Sequence, residues 1–183
     1  MKKVALTLVS DFEIVEAMAP LDMLRRAGIY VDVISVENKD YVKSAINVEI
    51  KVDKKLKDVD LSNYDLVILP GGPGTKNYYD HKEELLDKVK ENYNNKKMVS
   101  AICAGPSVLA NLGILEGRKA ISFPSFQHVL VENKAELVNE QVVVSDNVIT
   151  GRAAAASIDF GLKLVEMLEG KEKRAEVEKA IVY

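Results

Sequence analysis

The sequence holds no tryptophan, two histidines and a single cysteine, Cys103. One thiol cannot close an internal disulfide, which removes the stapled secreted folds and points to a reducing, cytoplasmic setting. Neither sign of charge dominates: 25 Lys and Arg stand against 28 Asp and Glu, a net −3, mixed along the chain. That balance gives no electrostatic case for nucleic acid or an acidic membrane. No apolar run approaches the roughly 20 residues that cross a bilayer. The start, M-K-K-V-A-L-T-L-V, imitates a secretory leader, but Asp11, Glu13 and Glu16 interrupt its apolar region. No repeat, long low-complexity tract or Pro/Gly/Ser linker is visible, so residues 1–183 read as one domain.

What is present is material for a core, with 48% apolar residues. Four short β-branched runs, at 4–9, 30–36, 66–69 and 98–102, read as buried parallel strands. Helical spacing predicts helices over 14–27 (Ile14, Met18, Leu21, Leu24), 82–94 (Leu85, Leu86, Val89) and 155–169 (Ile158, Leu162, Val165, Leu168). The stretch 41–52 alternates and suggests a small hairpin. Asp146-Asn147 is a tight turn between 142–145 and 148–150. The lysine-rich 51–57 reads as a solvated face. Strands alternating with helices give an α/β sandwich with a mostly parallel sheet, whose sites collect at the carboxyl ends of the strands.

Three segments stand at such ends: S-D-F-E-I-V-E from Ser10, P-G-G-P-G-T from Pro70, and Cys103 with A-G-P behind it. The glycine loop fits neither nucleotide fingerprint. It reads either as a turn needing positive φ or as exposed N–H groups for a developing oxyanion. A lone cysteine is ordinarily a small core hydrophobe. Here a strand runs into it and small residues follow, which is the layout of a nucleophile elbow. Pro106 suits a first helical turn, so the thiol lies at a helix start. A helix end supplies about 0.3–1 kcal/mol, and one pKa unit is about 1.36 kcal/mol. The dipole therefore lowers a thiol pKa by roughly one unit, and an activated thiolate needs a further donor. His81 sits among charges at a helix start, and nothing in its spacing ties His128 to Cys103. No H-x-E follows, against a class I glutamine amidotransferase. The carboxyls after strand one, Glu13 and Glu16, are what remain, against the plainer role of offsetting a helix dipole.

Taken together, E-I-V-E-A (13–17), L-P-G-G (69–72), A-I-C-A-G-P (101–106), P-L-D-M-L-R-R-A-G (20–28) and I-D-F-G-L-K-L-V-E near the end resemble the DJ-one/ThiJ/PfpI superfamily, nearest its DJ-one and YajL branch. The resemblance implies a flavodoxin-like, class I glutamine amidotransferase-like domain. In it Cys103 pairs with a protonated Glu16, the N–H groups of Gly72 and Ala104 face the reactive site, and Asp22 and Arg152 form a supporting polar pair. It implies no cofactor and no metal, a small reactive-carbonyl substrate, and a homodimer or larger homo-oligomer. Departures are informative. Ala104 stands where the protease branch has histidine, and Phe123 where the human-like branch has histidine. Arg152 to Ala156 reads R-A-A-A-A where the family has R-G-P-G-T. The implied activity is conversion of methylglyoxal to lactate, or deglycation of methylglyoxal adducts. Beside it stands a stress sensor or chaperone working through Cys103 sulfinic acid, and behind both a peptidase or amidase.

Overall fold

The computed structural model describes all 183 residues. Its centre is a seven-stranded sheet. Strands β1 (Lys3–Leu8), β2 (Tyr30–Ser35), β6 (Leu66–Leu69) and β7 (Met98–Ile102) match the four apolar runs. The remaining members are β5 (Lys54–Lys55), β10 (Val142–Ser145) and β11 (Val148–Gly151), in the order β10-β11-β7-β6-β1-β2-β5. All pairings are parallel except β10 with β11, which form the hairpin read around Asp146-Asn147. Period-two alternation sorts the strand residues between two cores. Val4, Leu6, Leu8, Leu66 and Ile68 face one, while Ala5, Val67, Leu69, Val99 and Ala101 face the other. Burial on both faces explains why these strands are continuous apolar runs. The second hairpin, β3 (Tyr41–Lys43) with β4 (Glu49–Lys51), stands apart from the main sheet, as does the short pair β8 (Lys119–Ala120) and β9 (Glu136–Leu137).

Helices α1 (Ile14–Arg26), α5 (Ser157–Glu169) and α6 (Lys171–Ile181) cover one face of the sheet. Helices α2 (Asp87–Asn94), α3 (Gly105–Asn111) and α4 (Gln127–Glu132) cover the other. Several boundaries differ from the expected ones for local reasons. The helix read over 82–94 opens with a wide turn, Lys82–Leu86, before α2 begins. The helix read from 155 starts at Ser157, behind a short turn at Ala154–Ala156. Ile158 points outward, and α5 buries Phe160, Gly161 and Leu164 beside the expected Leu162, Val165 and Leu168. Along 51–57 the lysines are mostly exposed, but Leu56 is buried, and Lys54 and Lys55 form the sheet edge. Lysines on an edge strand discourage further pairing. α6 went unread because Val177 is its one buried residue. It is held by Arg174, which reaches Glu166 on α5 and Glu178 on its own helix.

From β1 the chain crosses to β2 on one side, and from β6 to β7 on the other. The carboxyl ends of β1 and β6 therefore flank a topological switch point, where open α/β sheets leave a crevice.

Helices α1 and α5 touch at Gly161. A methyl there would lie 2.9 Å from the Pro20 Cα and from the Met23 Cγ. Helix propensity favours alanine over glycine by about 1 kcal/mol, but overpacking against backbone costs about 1–3 kcal/mol. Gly161→Ala is therefore expected to lower the melting temperature, read by calorimetry. An unchanged or raised value would show that the two helices can part freely.

Candidate active site

Cys103 follows β7 directly and has φ +64°, the left-handed region that a side-chain-bearing residue enters at a cost of about 1–3 kcal/mol. Its backbone is fixed on both sides. The Cys103 N–H donates to the Gly151 carbonyl at 3.0 Å, and its carbonyl accepts from the Phe123 N–H at 2.8 Å. The chain then turns into α3 through Ala104, with Gly105 and Pro106 opening the helix. This is the elbow expected from the sequence.

The glycine loop after β6 comes up against the elbow. At Gly71 a Cβ would lie 2.8 Å from each of three atoms: the Ala104 nitrogen, the Cys103 Cβ and the Glu16 Oε2. Gly72 has φ +104° and packs on the backbone of 11–13. The positive φ at Gly72 is what the turn reading called for. The Gly72 and Ala104 N–H groups stand near enough to the Cys103 sulfur to favour its charged form. The loop is tied to the segment after β1 by the Glu13 N–H, which donates to the Gly71 carbonyl at 3.0 Å.

Glu16 sits in the first turn of α1 and is 1% exposed. Its Oε2 accepts from the Gly71 N–H at 2.9 Å, and its carboxyl lies beside the Cys103 side chain, both crowding the same face of Gly71. Burial, with Glu13 nearby, pushes its pKa up to about 7, against the favourable contacts with Cys103 and Gly71. The same desolvation, and the charge of an ionised Glu16, push the Cys103 thiol up to about 12, while the Ala104 and Gly72 N–H groups pull it down. The helix end is thus outweighed, as its small size implied: with Glu16 ionised, the thiol is held neutral. Two groups this close titrate as a pair rather than separately.

Over the sulfur opens a cavity of about 620 Å³. Glu13, Gly72, Ala104 and Ser107 line it beside Cys103, with Lys76, Tyr79, Asn111, Phe123, Phe126 and Val129 around them. Most of these outer residues escaped the sequence reading. They come from a turn at Pro73–His81, from α3 and α4, and from the short turn Pro124–Phe126 with Phe123 before it, where no periodicity separates a pocket face from a core face. The doublet of rings in F-P-S-F was the one available signal.

Other expected members are elsewhere. Asp22 and Arg152 do not pair. Asp22 accepts from Arg26 on the same helix at 2.8 Å, and Arg152 donates to Asn139 at 2.8 Å. Helical i, i+4 spacing gives Asp22 a nearer cation, which is why the pairing fails within one chain. His128 is exposed on α4, and neither it nor His81 lines the cavity. The run Ala153 to Ala156 needs no positive φ, so alanines serve there without strain. No group of three or more His, Cys, Asp or Glu side chains converges to hold a metal ion, and no helix is long and apolar enough to cross a membrane.

This arrangement has relatives. Protein dj-1beta of Drosophila melanogaster is 36% identical over 183 residues, covering 100% of this chain and 98% of its own. The glutathione-independent glyoxalase DJR-1.2 of Caenorhabditis elegans is 33% identical over 163 residues, covering 89% of this chain and 86% of its own. Among solved structures, the oxidized DJ-1 of Toxoplasma gondii superposes with a TM-score of 0.93 at 34% identity, covering 100% of this chain and 99% of that one. The DJ-1/PfpI family model matches residues 2–167. With the sheet, the elbow and the match all running nearly end to end, the chain belongs to the DJ-1/PfpI family.

Proposed function

We propose that the protein is a cofactor-free, cysteine-dependent enzyme acting on reactive carbonyls, converting methylglyoxal to lactate and, by the same chemistry, reversing early methylglyoxal adducts. The observation that carries this is the buried Glu16 carboxyl packed beside Cys103 against Gly71, under an open cavity that no histidine lines. After the pair loses its first proton, the remaining one has two places to sit. On the sulfur, it leaves a buried carboxylate beside Glu13. On Glu16, it leaves the charge on the sulfur of a partly buried residue, where the Ala104 and Gly72 N–H groups favour it. The second form is the reactive one: a neutral acid donating to a thiolate.

The thiolate attacks the aldehyde carbon, and a carbon–sulfur bond forms. Glu16 gives its proton to the new alkoxide, which the Gly72 and Ala104 N–H groups hold. Glu16 then moves a proton from the carbon bearing sulfur to the neighbouring carbonyl carbon, and the hydroxyl proton passes to that carbon's oxygen, leaving a thioester beside an alcohol. Water cleaves the resulting thioester, releasing lactate and the thiol, with no external oxidant or reductant. The relative named a glyoxalase supports this reading. The proposal extends to a cytoplasmic homodimer, for which the apolar side chains exposed on α1 and α5, Val15 and Ile158, are available surface.

A second reading, a redox sensor or stress chaperone, is favoured by the same cradle. Two N–H donors and a protonated Glu16 would also hold the oxygens of a sulfinate, and the chain carries no second cysteine to divert the sulfenic stage. A peptidase or amidase has least support, since Ala104 follows the cysteine and no histidine lines the cavity.

Steady-state assays with methylglyoxal separate these readings. Wild type is expected to turn over many equivalents, Cys103→Ser to fall to background, and Glu16→Gln to lose roughly 10²–10⁴-fold, as for a missing general acid–base. Near-normal turnover in Glu16→Gln would remove the catalytic role. Absence of turnover in wild type, with clean addition of two oxygens by mild peroxide, would leave the sensor.

Glu16 also sets a pH-dependent cost. Its folded pKa is raised, so between about 4.5 and 7 the native state binds more protons than the unfolded chain, and stability falls as pH rises through that window. The shift corresponds to a few kcal/mol, on the order of 3. Chemical denaturation at pH 4 and pH 8 is expected to show Glu16→Gln gaining stability relative to wild type at the higher pH. Equal differences at both would mean that burial does not raise this carboxyl.

A further inference from the structure

The chemistry above needs only a thiol, a carboxyl group and two N–H groups, and methylglyoxal has five heavy atoms. The cavity is much larger than that. Its volume of about 620 Å³ is the room of roughly twenty waters at about 30 Å³ each. What bounds the spare room is largely apolar. Tyr79, Phe123, Phe126 and Val129 line it, and Phe123 and Tyr79 are 41% and 42% exposed.

These rings are held in place. The Phe123 N–H donates to the Cys103 carbonyl at 2.8 Å, and the Phe126 N–H donates to the Phe123 carbonyl at 2.9 Å. The backbone that carries both rings is therefore tied to the elbow. The Tyr79 hydroxyl accepts from Asn111 Nδ2 at 2.7 Å, and Asn111 Oδ1 in turn accepts from Asn133 at 3.2 Å. Those bonds anchor the polar end of Tyr79 within the protein. The charged rim groups, Glu13 and Lys76, are of opposite sign, so the rim supplies no net field for an anionic substituent. A preformed pocket with an apolar wall and a few convergent polar groups selects by the apolar part of its ligand.

Resting on the function proposed above, we infer that the preferred substrates are 2-oxoaldehydes carrying an aromatic or large apolar substituent, and that Phe123 sets this preference. Phenylglyoxal represents the class. It takes up one water overall. Its aldehyde carbon, bound to the Cys103 sulfur, is oxidised to the carboxylate level as its ketone carbon is reduced to the alcohol. Water then releases mandelate and returns the thiol.

The test is kcat and KM for phenylglyoxal and methylglyoxal, followed by formation of mandelate and lactate. Wild type is expected to favour phenylglyoxal by at least about tenfold in kcat/KM, chiefly through a lower KM, the scale on which apolar pockets discriminate. Phe123→Ala is expected to cut the phenylglyoxal-to-methylglyoxal ratio by about tenfold, again through KM, and Phe123→Leu to fall between. Phe123 is half-exposed, so both variants should fold, and the wild-type ratio decides the preference without them. Turnover of methylglyoxal with no preference for phenylglyoxal, or a ratio unchanged in Phe123→Ala, overturns this inference and leaves the proposed function standing. Turnover of neither substrate overturns both.

Discussion

Three chain segments meet at Gly71 with no room for a methyl group between them. The sulfur-bearing residue, the first N–H of its helix and the carboxyl of Glu16 all press on that one α-carbon. The rest of the site follows from this contact. Because the loop carries no side chain there, Glu16 reaches the sulfur. Because it reaches the sulfur, it is shut away from water at 1% exposure. Because it is shut away, its proton is held to near neutrality, and two groups that would titrate apart become one.

Such a contact has to be backed by something stiff. The sheet supplies it through four adjacent parallel strands in fixed register, β11, β7, β6 and β1. The elbow is fastened to the end of β11 through Gly151 and to the Phe123 segment through its carbonyl. Local strain of this kind persists only where the surroundings over-determine it. Most of the fold's ordinary stability, in the two apolar layers, therefore acts at a distance to hold one residue in an unfavourable conformation.

The strands were legible because burial on both faces leaves unbroken β-branched runs, and the elbow was legible because its small residues follow one such run. Glu16 could be named as a carboxyl after strand one, but its burial could not, since an acid in a first helical turn looks the same whether it faces solvent or a thiol. Within one chain Asp22 meets Arg26, one helical turn away, and Arg152 meets Asn139, contacts that a motif match does not reveal. The outer wall of the cavity was invisible for a different reason: Tyr79, Phe126 and Val129 lie on short irregular turns and a six-residue helix, too brief for periodicity to assign a face. The helix α6 was hidden by its charge, since only Val177 and Ile181 pack on the core and they make too thin a stripe to read.

The left-handed backbone at Cys103 sets function against stability at a single position. Glycine adopts that conformation freely, whereas any side chain with a β-carbon resists it by roughly 1–2 kcal/mol. An inert chain with glycine at the elbow would, on backbone grounds, fold more firmly than the reactive one. A lineage under pressure for robustness alone would thus drift toward losing its nucleophile while keeping every strand and helix intact, so that persistence of the fold is a poor guide to persistence of the chemistry.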